Sequence, residues 1–179
     1  MLPPGHIAGG YLAATALLKL THSHFTLEQI HSLLALGAFF GFAPDLDYFY
    51  AFAKIGRFTN PNHKVNHRHF FTHAPLVWLA VGLSIYFIAA DPFIKYIGLV
   101  VWLGSWSHFV LDSIEFGVQW LWPFTPRLFG LKDVGQAEKI PDKEFMGFWT
   151  KFVKYYFTRV SFYLEIIVII IGILTFTHG

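Results

Sequence analysis

The stretch DPFIKYIGLVVWLGSWSHFVLD, residues 91–112, decides the fold class of this chain. Asp91 followed by Pro92 is typical of a helix start, with an N-cap side chain and a proline at the first helical position. The apolar run that follows is long enough, at about 1.5 Å per residue, to cross a hydrocarbon core of roughly 30 Å. It ends in His108 and Asp112, which lie inside an otherwise apolar helix. The stretch therefore predicts a membrane-spanning helix with a polar site at one end.

Four further apolar segments have the composition of helices, and their boundaries have local causes. Thr26 and Gln29 have the spacing of a capping box, and Pro75 is well placed as a first helical residue. The segments run from Ile7 to Leu20, from Leu27 to Ala43, from Pro75 to Ala90 and from about Val160 to Phe176. Because the first two are short for a membrane span, the predicted fold is an all-α, polytopic membrane bundle with four to five transmembrane helices.

The composition agrees with a membrane protein and limits the chemistry of any site. The 179 residues are 55% hydrophobic and 13% charged, and the mean hydropathy is +0.49. A net charge of +2 without a basic, aromatic-rich run argues against nucleic-acid binding. The chain has no cysteine, so His, Asp, Glu or water would have to hold any metal. The N-terminal apolar run lacks the features of a cleaved signal peptide and is predicted to be retained.

The distribution of lysine and arginine predicts the orientation in the membrane. With five spans, eleven of the 13 basic residues fall on one side and two, Lys19 and Lys95, on the other. The positive-inside rule then places the N-terminus and the two long connections in the cytoplasm. One integral membrane domain, 1–179, is expected, with the site in residues 1–124. A cytoplasmic loop and interfacial segment follows over 125–159 and includes the solvated loop GLKDVGQAEKIPDKE. The last transmembrane helix covers 160–177.

The polar residues that could do chemistry lie at helix ends on that same side. His108 and Asp112 are spaced i, i+4, with Glu115 at i+7, so one helix face could present an imidazole and carboxylates to one ion. Ligands without sulfur suit a hydrolytic site with one or two divalent ions, with zinc favoured over manganese or magnesium. The other candidates are His6, Asp45 and Asp47 of PDLD, and His67, Arg68, His69, Thr72 and His73 of HRHFFTH.

Each fragment alone also has an ordinary structural explanation. A histidine before an apolar run is commonly interfacial, HRHFFTH could form a polar collar near phosphate headgroups, and His108 could simply hydrogen-bond Asp112. Their coincidence on one face of one membrane favours a metal site. The remaining histidines are expected to be solvated, and Glu165, inside the last apolar run, is left unassigned. Those histidines are His22, His24, His31, His63 and His178.

The order of these motifs resembles the YdjM-like family of bacterial and archaeal inner-membrane proteins, which are described as metal-dependent hydrolases and as LexA-regulated or LexA-binding. The resemblance rests on His6, PDLD, HR followed by TH, and SHFVLDSIEFGVQWLWPF, and it covers roughly residues 1–124. It implies a metal site whose ligands are the residues at the family's motif positions. They are His6, Asp45, His67, His73, His108 and Asp112, accompanied by Asp47 and Arg68.

One segment departs from the family pattern. The family commonly shows His-Arg-Gly, one residue, then Thr-His-Ser, whereas this chain has HRHFFTHA, with His69 at the glycine position and one extra residue before Thr72. His73 therefore stands as a candidate ligand, while His67 and His69 compete for a second place. The ligand order is also similar to the trinuclear sites of zinc-dependent phospholipases C and nucleases, which implies phosphoester chemistry.

The leading hypothesis is a membrane-bound, metal-dependent hydrolase that acts on a phosphoester or lipid-like substrate at the cytoplasmic interface of the inner membrane through metal-activated water. Asp45 or Asp47 would serve as ligand or general base, and Arg68 would stabilise a developing anion. The alternative is a non-enzymatic membrane protein with a structural metal site or an interaction surface. A transporter is disfavoured because the polar groups lie at helix ends and no internal repeat is found.

Overall fold

The computed structural model describes residues 1–55, 67–132 and 145–178, and these ranges are mostly helical. The predicted all-α class is confirmed for them: they contain no strand, and Val118 and Phe129 form an isolated bridge. The helices are α1 (Pro3–Leu20), α2 (Leu27–Phe42), α3 (Leu46–Ile55), α4 (Pro75–Ile88), α5 (Pro92–Asp112), α6 (Phe145–Tyr156) and α7 (Val160–His178). Short 3₁₀ turns cover Ala43–Asp45, His67–His69 and Phe71–His73.

Several helix boundaries lie where the sequence predicts them. The Thr26 side chain accepts a hydrogen bond from the Gln29 amide, and the Gln29 side chain accepts one from the Thr26 amide, which completes the capping box of α2. Asp91 caps α5 by accepting from the Ile94 amide. Pro75 is the first residue of α4. Local sequence therefore determines where these three helices begin.

Glycines allow α1 and α2 to pack with their backbones in close contact. A Cβ atom on Gly10 would lie 2.1 Å from the Gly37 carbonyl oxygen, and one on Gly41 would lie 2.2 Å from the His6 carbonyl oxygen. Such approaches leave no room for a side chain. The contact places the first turns of α1 beside the end of α2, where His6 and Asp45 are located.

Helix α5 lies at the centre of the bundle and packs against α1, α2 and α4, while α7 packs against α1. The core between these helices is apolar and includes Ala14, Leu33 and Val100. By length and composition, α5 and α7 can each cross a membrane, and α4 is apolar but shorter. These two are the candidate spans among the described helices, fewer than the four to five that the sequence predicts.

Two helices lie where the sequence predicts none. Helix α3 begins within the PDLD motif, at Leu46, and α6 lies within the 125–159 segment that the sequence predicts as a loop and interfacial region. Most of the predicted solvated loop GLKDVGQAEKIPDKE, and His63, lie outside the described residues.

Candidate metal site

Four parts of the chain bring histidines and aspartates together at one end of the bundle. The first turn of α1, the 3₁₀ turn after α2, the 3₁₀ turn before α4 and the last turns of α5 each contribute. The five residues that meet are called the His/Asp cluster below. They are His6, Asp45, His73, His108 and Asp112.

Three donor atoms in this cluster form a compact triangle. The Nε2 atoms of His73 and His108 are 3.3 Å apart, and Asp45 Oδ1 lies 3.7 Å from the first and 3.6 Å from the second. Two ligands of a tetrahedral zinc ion, at metal–ligand distances near 2.0–2.1 Å, are roughly 3.3–3.4 Å apart. The triangle therefore has nearly the size that three protein ligands of one such ion require.

Hydrogen bonds on the far side of each ring determine which nitrogen faces the triangle with a lone pair. His108 Nδ1 lies 3.0 Å from the Gly41 carbonyl oxygen, which can only accept, so Nδ1 carries the proton. His73 Nδ1 lies 3.0 Å from Asp47 Oδ2, and the Thr72 hydroxyl donates to the same oxygen. With Nδ1 held on the far side of each ring, both rings direct Nε2 at each other, which is the arrangement found in metal-ligating histidines.

His6 and Asp112 extend the cluster on the other side of His108. The rings of His6 and His108 are stacked with centroids 3.8 Å apart, and His6 Nε2 lies 3.3 Å from Asp112 Oδ1. His6 is fully buried, yet neither ring nitrogen makes a hydrogen bond with the described residues. His6, His108 and Asp112 form a second possible metal-binding group that shares His108 with Asp45 and His73.

Two cations already lie beside the carboxylate of Asp112. Arg68 Nη1 is 2.9 Å from Asp112 Oδ2, and the α-amino group of Met1 contacts Oδ1. The Arg68 guanidinium also lies over the Phe116 ring and donates to the Gly117 carbonyl oxygen. Arg68 is therefore held next to the His/Asp cluster, and Asp112 is balanced by positive charge.

The cluster is buried except at one edge. The side chains of His6, His73 and His108 have no exposed surface, whereas those of Asp45 and Arg68 are 18% and 13% exposed. Burial raises the pKa of Asp45, so a cation beside it would stabilise its charged form. Asp45 and Arg68 thus form the edge through which solvent reaches the site.

A protein-family model described as YdjM inner membrane protein matches residues 1–178. The chain belongs to this family. The match confirms the resemblance and extends it, because residues 125–178, where the sequence shows no recognisable motif, are included in the YdjM match. No curated protein and no solved structure matches this YdjM chain. Membership establishes an inner membrane protein, associated with the lipid bilayer.

Two of the candidate metal ligands, His69 and Glu115, do not join the His/Asp cluster. His69 Nδ1 lies 2.9 Å from Gln119 Nε2, and His69 is exposed and belongs to neither described metal-binding group. Glu115 was expected on the ligand face of α5, but the helix ends at Asp112, so the i+7 spacing no longer applies. The backbone of His67 is described, but its side chain lies outside the described part. The competition between His67 and His69 thus remains a prediction.

Other predictions and one omission concern residues away from the His/Asp cluster. The side chains of His22, His24, His31 and His178 are exposed, as expected. Glu165, which the sequence left unassigned, is buried beside Tyr156 against the first turn of α1. A glutamate inside an apolar run was the signal for it, since a buried charge needs partners.

Proposed function

We propose that this inner membrane protein is a metal-dependent hydrolase that acts on a phosphoester or lipid-like substrate at the cytoplasmic membrane interface. The observation that carries the proposal is the pair of Nε2 atoms of His73 and His108, 3.3 Å apart and completed to a triangle by Asp45. When neither Nε2 carries a proton, a divalent cation can accept both lone pairs and the Asp45 carboxylate together. His, Asp and a solvent-reaching edge are typical of catalytic rather than closed structural zinc sites.

The residues around the triangle have separable roles in this proposal. A divalent ion, zinc or alternatively manganese or magnesium, would polarise the scissile group and make water a stronger nucleophile. Asp45, at the exposed edge, would be a ligand or take the proton from water, and Asp47 would hold the tautomer of His73. Arg68, also at that edge, would attract an anionic group of the substrate. His6 and Asp112 would complete the coordination or hold a second ion.

We further propose that the chain is one multi-pass domain whose His/Asp cluster faces the cytoplasm, with residues 1–124 as its core. Two described helices can cross a membrane by length and composition, and α4 is apolar. Helices α1 and α2 pack on the central span α5, so they would cross beside it, which gives four to five spans. The excess of lysine and arginine on the side of the cluster supports a cytoplasmic orientation.

An apolar groove beside the cluster supports an amphiphilic substrate. The groove lies between α1, α5 and α7 and has a volume of about 650 Å³. It begins at Gly9, three residues after His6, and at Leu111, the residue before Asp112. From Gly9 to Leu20 it follows α1 for about 16 Å, close to the roughly 15 Å depth of one leaflet. An acyl chain in this groove would bring a lipid headgroup to the His/Asp cluster.

The test combines metal content with hydrolysis. The full chain is purified in detergent, loaded with zinc, manganese or magnesium, and assayed on a phosphomonoester, a phosphodiester, a carboxylic ester and an amide, each in a water-soluble and a long-chain form. We expect stoichiometric metal and turnover of a long-chain phosphoester, and loss of both in a His108→Ala, Asp112→Ala variant. Equal substoichiometric metal in wild type and variant would refute the metal site.

A groove variant tests the substrate class. Ala16→Phe fills the groove, and Ala80→Phe, on the exposed face of α4, adds the same ring outside it. We expect Ala16→Phe to slow hydrolysis of the long-chain phosphoester but not of its water-soluble analogue, and Ala80→Phe to change neither. Equal effects of Ala16→Phe on both substrates would contradict an acyl-chain groove.

The non-enzymatic alternative is favoured by one observation, the burial of the ligands. With no exposed surface on His6, His73 and His108, the cluster could hold a structural ion between α1, α4 and α5. Stoichiometric metal without turnover of any substrate in the panel, together with a large loss of thermal stability on chelation, would support this alternative over the hydrolase.

A further inference from the structure

A buried carboxylate caps the N-terminus of α1 from a distant part of the chain. Glu165, on α7, accepts hydrogen bonds from the Gly5 amide at 3.0 Å and from the Leu2 amide at 3.3 Å. The first amides of a helix lack the usual i−4 partner, and Leu2 at the N-cap position has no side chain that could cap the helix. The Gly5 amide otherwise donates only to the Leu2 carbonyl oxygen, at 3.1 Å, among the described contacts. Glu165 therefore takes the place of a local cap and favours the positive end of the helix dipole.

Tyr156 holds Glu165 in that position. Its hydroxyl donates a hydrogen bond to Glu165 Oε2, and its side chain is fully buried between α6 and α7. Burial and the nearby carboxylate raise the pKa of Tyr156, so the phenol stays protonated and remains a donor. Both oxygens of Glu165 thus have protein partners: Oε1 accepts from Gly5, and Oε2 accepts from Leu2 and Tyr156.

The fit between Glu165 and α1 is also steric. A Cβ atom on Gly5 would lie 2.7 Å from Glu165 Cγ and 2.9 Å from its Oε1, so the glutamate fills the space directly against the residue before His6. The depth and rotation of the first turn of α1 are therefore determined by Glu165.

His6 depends on this turn more than its neighbours in the cluster do. Oxygen atoms lie 3.0 Å from Nδ1 of both His73 and His108, whereas Nδ1 of His6 has no hydrogen-bond partner among the described residues. The orientation of His6 rests on the stack with His108, on Asp112 Oδ1 at 3.3 Å from its Nε2, and on where α1 places its backbone. A shift of α1 would therefore move the His6 ring while leaving the other two rings oriented.

We propose that Glu165, held by Tyr156, is the positioning residue for His6, so that α7 controls how well the His/Asp cluster binds a divalent ion. The inference rests on the proposed metal site, but it assigns a role to α6 and α7, which contribute no ligand among the described residues. Glu165 touches neither ion nor substrate and acts through the backbone of α1.

A double-mutant cycle on metal affinity tests the proposal. Zinc affinity is measured by chelator competition for wild type, Glu165→Gln, His6→Ala and the double variant. In Glu165→Gln, an NH₂ group replaces one of the two oxygens that accept hydrogen bonds. This group then faces the N–H or O–H donors of Gly5, Leu2 or Tyr156. We expect Glu165→Gln to weaken zinc binding about 10-fold or more, as for other groups that orient a ligand, but to change little in the His6→Ala background. An equal loss in both backgrounds would mean a general structural role and overturn the proposal, as would no loss in wild type.

Controls separate folding and the proposed function from the positioning role. Glu28→Gln changes an exposed glutamate on α2 and should leave zinc affinity unchanged. If Glu165→Gln does not fold, Tyr156→Phe, which removes one hydroxyl, replaces it in the same cycle. Nitrogen NMR of the metal-free histidine rings provides a second readout: the His6 signal should shift in Glu165→Gln while that of exposed His22 does not. A wild type that binds no zinc refutes the metal site, and an unmoved His6 signal refutes the positioning role.

Discussion

Two buried polar clusters in this protein satisfy their hydrogen bonds in opposite ways. In the carboxylate cluster, formed by Glu115, Tyr156, Arg159, Ser161 and Glu165, every carboxylate oxygen has a protein partner. In the His/Asp cluster, two Nε2 atoms face each other and His6 Nδ1 makes no hydrogen bond with the described residues. Because a buried polar group without a partner costs free energy, the carboxylates of the first cluster are satisfied as folded, whereas the second cluster would gain from a bound cation.

The carboxylate cluster joins helix ends rather than binding a ligand. Glu115, three residues after Asp112, accepts from the amide and the hydroxyl of Ser161 at the start of α7, and Glu165 on α7 caps α1. The end of α5, the start of α7 and the start of α1 are thus connected in series. Variants of the carboxylate cluster should therefore change the stability of the fold or the positions of the helix ends. Variants of the His/Asp cluster should abolish metal binding itself.

The largest effect is expected for His108, which belongs to both metal-binding groups. His108→Ala removes the shared ligand, so metal content measured by mass spectrometry should fall from stoichiometric to background, a loss of affinity of more than about 100-fold. His69→Ala is the nearby control, because its ring contacts Gln119, and it should retain the metal. If His69→Ala loses as much metal as His108→Ala, the assignment of the His/Asp cluster is wrong.

A smaller effect on the same cluster is expected for Asp47→Asn. Asp47 is buried and contacts His73 Nδ1 at 3.0 Å, so losing its charge weakens the orientation and basicity of that ring without removing a ligand. Zinc affinity should fall about 10- to 100-fold with the fold retained. Asp91→Asn, at the exposed N-cap of α5, makes the same change where asparagine also caps, and should have no effect. An unchanged affinity in Asp47→Asn would show that His73 is not oriented by this residue.

The residues of the His/Asp cluster could be predicted from the sequence because each of them lies in a short motif that can be recognised locally. Capping residues gave the helix starts, and a polar pair in an apolar run marked the end of α5. Glu115 was misplaced because helical spacing was extended three residues beyond the point where α5 ends, at Asp112. Where a helix ends depends on the turn that follows, which the apolar pattern does not encode.

Both clusters connect distant parts of the chain, but the carboxylate cluster could not be predicted because no motif marks the partners of its carboxylates. Gly5 and Glu165 are 160 residues apart, and no spacing rule links them. The sequence offered one clue, a glutamate inside an apolar run, but not the identity of its partners. Helix α6, which supplies Tyr156, lies in the segment that the sequence predicts as a cytoplasmic loop and interfacial region.

A third prediction separates stability from binding. Glu115→Ala leaves the buried Ser161 amide and the Arg159 guanidinium without their carboxylate, so the free energy of unfolding should fall by about 1–3 kcal/mol. Thermal unfolding followed by circular dichroism measures the loss, while metal content should remain stoichiometric. Glu28→Ala, at an exposed position in the first turn of α2, is the matched control and should change stability much less. Loss of metal in Glu115→Ala would show that Glu115, like Glu165, contributes to metal binding.

The smallest effect is a pH dependence of the carboxylate cluster. Burial acts to raise the pKa of Glu115, but hydrogen bonds from Ser161 and the charge of Arg159 outweigh it, so the pKa lies below its ordinary value. The ionised form therefore stabilises the fold above the ordinary glutamate pKa of about 4.3, and this contribution disappears as the pH falls through the lower folded-state pKa. The difference in unfolding temperature between wild type and Glu115→Gln should shrink between pH 7 and pH 3. Protonation of the His/Asp cluster affects both proteins alike and cancels in the difference. A difference that stays constant over this range would mean that Glu115 stabilises α7 by its shape and not by its charge.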